Sequence, residues 1–350
     1  VAGREPGRTL TELELNRALL ARQLLLERAR LPVPRALERI GGIQAQYAPS
    51  MYVGLWTRLE GFKRDQLTRA LERRTVVQGT SLRATIHLLS PGDWWTFAAA
   101  TSTRRREEWL RTRKLATAAQ MGAAVKRVRP LLAKGPVERK ALQETVGLGA
   151  PGISGINAWI ELVRAPPSGT WEHRRADLFA DAADWIGPAP KLTASEATVE
   201  VVRSYLRGFG PATTAEIADW AGLPNRQVDA ARGSLELRRF RAEDGAELVD
   251  LPRLPIPAPD TPAPPRLLPV WDATTLAHAR RSQILPERHR PRIFNTKTPQ
   301  SMPTFLIDGR VAGSWRFEKG KLKLDPFERI DAGSRRELDR EADRLAEFHA

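Results

Sequence analysis

The sequence contains no cysteine, and only three methionines, three tyrosines and five histidines in 350 residues. Without cysteine there is no disulfide framework, thiolate zinc site, iron–sulfur cluster or cysteine nucleophile, a usage that fits a reducing compartment. His87, His173, His278, His289 and His349 lie far apart and form no chelating pair at helical spacing, so neither a metal nor another cofactor is expected. Long hydrophobic runs are missing too. No stretch approaches the ~20 apolar residues that cross a bilayer, and the segment holding Arg4, Glu5 and Arg8 has no signal-peptide core. The expectation is a soluble, cytoplasmic protein with no membrane partner.

Positive charge is what the chain has in excess. Lys and Arg number 56 against 41 Asp and Glu, a formal net charge of +15, while 41% hydrophobic residues with 10 Trp and 10 Phe supply ample core material. At roughly 150 residues per domain the length fits two or three units. Such a charge makes nucleic acid the leading partner, because neutralising phosphates releases counterions and gives sequence-independent affinity. Arg- and Ala-rich composition is also common in chains from GC-rich genomes, a second reading of the same number.

Leucine spacing over 11–29 (TELELNRALLARQLLLERA), including Leu13, Leu20 and Leu24, predicts an amphipathic helix capped by Thr9 or Thr11. A short helix is expected before Gly41-Gly42, a third after Pro49 and a fourth over 65–73; VVQGTSLRATIHLL at 76–89 reads as one or two strands. That order is a winged helix. GPVERKALQETVGL at 135–148 aligns at constant offset with GPATTAEIADWAGL at 210–223, both opening on Gly-Pro and closing on Gly-Leu, as in a helix-turn-helix. The first copy is flanked by helices near 120–133 and 153–163, with wing strands near 170–172 and 177–180; the second by helices at 195–207 and after Pro224, with strands at 236–241 and 246–251. The fold expected is therefore α+β and mostly helical. It comprises three tandem winged helices over 9–118, 119–190 and 191–252, then a proline-rich connector (252–269), a β-meander over 305–327 and a closing helix near 333–348 within 253–350.

GxGxxG after a strand, the P-loop, HExxH and GxSxG are all missing. What stands out is Gly41-Gly42-Ile43-Gln44-Ala45-Gln46-Tyr47-Ala48-Pro49-Ser50. On a regular helix Gln44 and Gln46 would point apart, whereas in an extended segment they share a face. Each amide has two N–H donors and one acceptor and takes no proton at neutral pH, so the pair is suited to positioning water and stabilising a cationic sugar rather than to general-base work. Two ordinary polar residues at a helix end would look the same by spacing alone.

These residues carry a resemblance. GGIQAQYAPSMYVGLW, SLRATIHLLSPGDWW at 81–95, GFGPATTAEIADWAGL at 208–223 and LIDGRVAGSWRF at 306–317 together are similar to AlkZ/YcaQ-type winged-helix DNA glycosylases, over roughly residues 10–348. The resemblance implies tandem winged helices and a C-terminal β unit forming a C shape around duplex DNA, with a Gln-x-Gln/Asp signature falling on Gln44 and Gln46 as catalytic residues. Gln46, where the YcaQ-like branch has Asp, places the chain with the AlkZ-like branch, associated with self-resistance to DNA-alkylating natural products. The implied activity is monofunctional hydrolysis of N7-alkylguanine adducts or crosslinks, by a bacterial, nucleoid-associated monomer acting on double-stranded DNA that carries an alkylated purine.

His87 and Tyr47 are candidates to line the site, although a lone histidine between apolar neighbours is commonly structural. Trp94 and Trp95 offer stacking surfaces or core. Of the basic clusters, Arg316 with Lys319 and Lys321 on the predicted hairpin, and Arg83 in the first wing, are the expected DNA contacts; Arg104-Arg105-Arg106 and Arg280-Arg281 read as solvated faces. Asp93, Asp272 and Asp308 read as structural. The competing function is a non-catalytic winged-helix regulator or adduct-sequestering protein, but three unequal units fit poorly with reading a palindrome.

Overall fold

The computed structural model describes residues 7–276, 282–294 and 301–350. Thr11, not Thr9, caps the first helix, Glu12–Arg22: its hydroxyl accepts from the Glu14 amide while the Glu14 carboxylate accepts from the Thr11 amide. The helix stops at Arg22, well short of residue 29. Leu24 and Leu25 belong to two different cores, and Leu24 turns left-handed (φ 58) so that the chain can serve both. Leu13, expected inside, is 37% exposed.

Helices Val33–Ile40, Ala48–Trp56 and Arg64–Glu72 precede the wing strands Val77–Thr80 and Ile86–Leu89. The repeated segments are helices Arg139–Val146 and Thr214–Ala221. Each is closed by a left-handed glycine, Gly147 or Gly222, and followed by Gly149–Trp159 or Asn225–Arg232. The wing of the second copy, Arg238–Ala242 with Glu247–Asp250, lies where the alternation put it. That of the first does so only for its strand near 177–180. Its strands are Leu162–Arg164 and Leu178–Asp181, and 170–172 is a turn in which the Thr170 hydroxyl donates to the Pro167 carbonyl. Leu162–Arg164 is a strand because Gly79 offers it an edge: Val163 pairs with Gly79, where a Cβ would lie 2.7 Å from the Leu162 carbonyl oxygen.

That pairing fuses two wings into one six-stranded sheet, ordered Ile43–Gln44, Ile86–Leu89, Val77–Thr80, Leu162–Arg164, Leu178–Asp181, Val137–Glu138. The Gln44 strand is at one edge. Elsewhere Thr9–Leu10 pairs in parallel with Arg238–Ala242.

Most of 252–269 is irregular, but its end, Arg266–Leu268, is an edge strand of a four-stranded sheet with Thr304–Ile307, Arg310–Glu318 and Lys321–Pro326. The Arg266 guanidinium fixes that strand by donating to the Leu25 and Leu26 carbonyls. The meander turns at Asp308-Gly309 and Lys319-Gly320, two-residue turns with positive φ at both positions. The last helix, Ala332–His349, buries Leu338 and Leu345 in the core that also holds Ile43, Ala45 and Ala48. Two buried ion pairs, Arg22 with Asp250 and Arg58 with Asp272, join distant segments, and the buried Arg17 reaches the exposed Asp308. Among the described residues no helix is long and apolar enough to cross a membrane.

Candidate active site

Gly41 and Gly42 set how the glutamines are presented. Gly41 (φ 78) closes helix Val33–Ile40, and Gly42 (φ 83) passes so near the wing that a Cβ would meet the Leu89 side chain at 2.4 Å. The chain thereby leaves the helix as an edge strand, with Ile43 opposite Leu88, Gln44 opposite His87 and the Ala45 amide donating to the Ile86 carbonyl at 2.7 Å. Because this segment is extended, Gln44 and Gln46 share a face, and Gln44 Nε2 donates to Gln46 Oε1 at 2.5 Å. Gln44 is buried while Gln46 and Tyr47 are exposed. Among the described residues no other hydrogen bond engages the Gln44 oxygen or the Gln46 N–H groups, which leaves an acceptor beside donors for a ligand.

His87, directly across the ladder from Gln44, is 4% exposed and cannot reach a phosphate as a wing-tip residue would. Its Nδ1 lies 3.1 Å from the Thr85 carbonyl. Burial, with the Arg83 charge adding to it, lowers its pKa to about 3. The imidazole is therefore neutral beside the amides at any physiological pH. It follows that base release should show no histidine limb between pH 5.5 and 8.5; a single-turnover rate profile inflecting near 6.5 would mean that His87 titrates in the site. The same shift favours the folded state above pH 6.5 and withdraws that stability as pH falls toward 3, since the unfolded chain then binds the extra proton.

Gln78 escaped the sequence reading. Only 1% exposed, it donates from Nε2 to the Ala45 carbonyl at 3.1 Å, and so clamps the peptide between the two glutamines. A polar residue inside the apolar run VVQG was the available signal, since a buried amide must find a partner. No pattern announced Arg164. It sits half-buried in the same sheet, with no carboxylate partner among the described residues, and burial plus the Arg139 charge pull its pKa down to about 10.

Arg83 has a left-handed backbone and donates to the Trp220 carbonyl at the end of helix Thr214–Ala221, so part of its hydrogen-bonding capacity ties the first wing to the third unit. On the hairpin the expected alternation fails. Lys319 is in the turn (φ 49), whereas Lys321 lies on a strand face with Arg316 and Lys323, the latter two both paired with Glu318 at 2.7 Å. Lys319 and Lys321 carry no ion pair among the described residues, so they remain the free cations of the tip. Neutralising both should weaken duplex binding at every sequence and flatten the salt dependence by about one unit of log–log slope for each phosphate that is no longer neutralised, measured by anisotropy titrations at several salt concentrations.

Other candidates are structural. Arg105 donates to Glu161 and to the Thr80 and Asn157 carbonyls, and Trp94 is 1% exposed in the core. Arg280-Arg281 lies outside the described residues.

Winged-helix units with fused wings, a C-terminal β unit and an amide pair at the wing edge define the class: a tandem winged-helix protein with a polar amide centre. The chain belongs to the DNA glycosylase AlkZ-like family, whose pattern matches residues 37–348. It is 24% identical over 340 residues to an interstrand DNA cross-link repair glycosylase of Streptomyces sahachiroi, covering 88% of each chain. Its fold matches the solved Streptomyces sahachiroi DNA glycosylase AlkZ with a TM-score of 0.82, at 21% identity and 97% coverage of both chains.

Proposed function

We propose that this DNA glycosylase is monofunctional, hydrolysing the N-glycosidic bond of bulky N7-alkylguanine adducts or interstrand crosslinks in duplex DNA, and protecting a bacterial cell from a DNA-alkylating natural product. The observation that carries the reading is the Gln44–Gln46 pair, its amides bonded to one another and facing a neutral histidine. A base alkylated at N7 is cationic and departs as a neutral molecule, so the leaving group needs no proton. The sugar becomes oxocarbenium-like, and the free Gln44 oxygen places a dipole of the right sign toward it. The Gln46 N–H groups orient a water oxygen; the water adds to C1′, releases its proton to solvent and leaves an abasic site.

Phosphates are held by Lys319 and Lys321, with Arg83 and Arg316 in support. The chain acts as a monomer in the cytoplasm, its units dividing at 9–118, 119–190, 191–252 and 253–350. The name of the Streptomyces relative supports crosslinks as substrate.

The decisive assay incubates the protein with a duplex carrying one N7-alkylguanine and cleaves abasic sites with mild base. Cationic lesions should be released, whereas uracil and 8-oxoguanine in the same duplex should persist, because two amides can neither activate water strongly nor protonate a neutral base. Borohydride should trap no covalent adduct, as no lysine joins the glutamine pair. Efficient uracil release or a trapped Schiff base would place the chemistry on other residues. Tight binding without release would favour the sequestering role.

A further inference from the structure

The backbone ladder that holds the glutamine segment runs out inside it. Ile43 and Gln44 pair with Leu88 and His87, and the Ala45 amide still donates to the Ile86 carbonyl at 2.7 Å, which fixes the plane of the Gln44–Ala45 peptide. One peptide further the ladder stops. Among the described residues no backbone amide donates to the Ala45 carbonyl, although Ala45 is fully buried. The plane of that carbonyl is the plane of the Ala45–Gln46 peptide, so its rotation sets the direction in which the exposed Gln46 side chain leaves the chain.

Gln78 supplies the missing rung. It stands opposite Leu88 on strand Val77–Thr80, which lies on the far side of Ile86–Leu89 from the glutamine segment. Its Nε2 donates to the Ala45 carbonyl at 3.1 Å; a carbonyl only accepts, so the nitrogen end of this amide faces Ala45 and the oxygen end faces away. Behind that oxygen is Gly169, in the connection between the second unit's strands Leu162–Arg164 and Leu178–Asp181, where a Cβ would lie 2.6 Å from Gln78 Oε1. The connection is itself stitched, since the Ser168 hydroxyl accepts from the Asp177 and Leu178 amides at 2.8 and 3.1 Å and donates to the Arg175 carbonyl at 3.0 Å. The Gln78 amide is thus confined between a tied turn of the second unit and the glutamine segment of the first.

We propose that Gln78 is a positioning residue for base release: through the Ala45 carbonyl it fixes the Ala45–Gln46 peptide and keeps the Gln46 amide aligned with Gln44, without touching the substrate. The proposal rests on the glycosylase reading and deepens it, adding a residue outside the Gln-x-Gln signature. It also gives the second unit a part in the chemistry, as the seat against which Gln78 is held.

Gln78→Met keeps the length of the side chain and removes the donor. It should slow single-turnover release of N7-methylguanine about tenfold, with affinity for undamaged duplex within about twofold, because misalignment costs rate whereas phosphate contacts set affinity. Gln78→Glu supplies the conservative rescue. As a carboxylate, near pH ~8.5, it offers the Ala45 carbonyl only acceptors and should be as slow as Gln78→Met; burial raises its pKa, and toward pH ~5.5 the neutral acid regains an O–H donor, so release should recover toward the wild-type rate. The wild type and Gln78→Met should stay flat over the same range. In protein with isotope-labelled glutamine side chains, the amide signals of Gln44 and Gln46, assigned by their loss in the single alanine variants, should shift in Gln78→Met. A Gln78→Met rate equal to that of the wild type, a Gln78→Glu profile parallel to the wild type's, or unshifted Gln44 and Gln46 signals overturns the proposal. Should Gln78→Met fail to fold, the Gln78→Glu profile decides alone. Shifted signals in a protein whose wild type releases no base support the positioning role and overturn the hydrolytic reading instead.

Discussion

Gln44→Ala and Gln46→Ala should each slow single-turnover release of N7-alkylguanine by about two orders of magnitude, the usual cost of removing one oriented polar group from a charge-stabilising site. Binding to undamaged duplex should barely change, since neither amide anchors a phosphate in the proposed arrangement. The 2.5 Å bond between the side chains adds a sharper expectation. Removing Gln44 frees the Gln46 amide to rotate, and removing Gln46 strips Gln44 of its acceptor, so each single variant already loses much of what both supply. The double variant should fall well short of the product of the single effects, with a coupling readable from a double-mutant cycle. Strictly multiplicative losses would mean that the amides act independently; an unchanged double variant would remove them from the mechanism.

Asp272→Ala should destabilise the protein by about 3–5 kcal/mol in urea unfolding, a large share of the ~5–15 kcal/mol that holds a domain folded. Both members of the Arg58–Asp272 pair are buried, with side-chain exposures of 2% and 4%. Asp272 accepts from both Arg58 terminal nitrogens, at 2.8 and 2.9 Å, and from the Thr274 hydroxyl at 2.7 Å. Burial alone would raise the Asp272 pKa, but the Arg58 charge and these hydrogen bonds outweigh it and hold the carboxyl below its ordinary value. Its contribution is thus present above the carboxylate range and disappears as pH falls through the lowered folded-state value. Alanine leaves the Arg58 cation buried without a counter-charge. Asp272→Asn, which keeps an acceptor, should cost less, and an unfolding midpoint unmoved by Asp272→Ala would show that the pair contributes nothing to folding.

Local patterns were legible from the residues alone. The Gly147 and Gly222 helix ends, a threonine cap at Thr9 or Thr11 and a β-meander over 305–327 depend on neighbours within a few positions, and the structure has the two glycine ends, the cap at Thr11 and the meander. The readings that missed depended on distant partners. The strand Leu162–Arg164 exists because Gly79 leaves an edge open, and Arg266–Leu268 escapes its proline-rich surroundings because the Leu25 and Leu26 carbonyls hold Arg266. At the hairpin tip, turn geometry removed Lys319 from the alternation assumed for it.

By itself, then, the sequence determined a cysteine-free, cationic chain of winged helices and a β-meander, with an amide pair able to converge only if extended. These are matters of composition, periodicity and short-range turn chemistry. The tertiary structure decided that the segment is extended, since Gly41-Gly42 delivers it to an open edge beside His87, whose surroundings strip it of its proton. It also placed Gln78 under the signature peptide, left Arg164 without a counter-charge among the described residues, and gathered Tyr47, Trp171, Phe317 and His349 around one cavity. Burial, pairing across a ladder and the meeting of residues hundreds of positions apart are properties of the packed chain, and no local pattern encodes them.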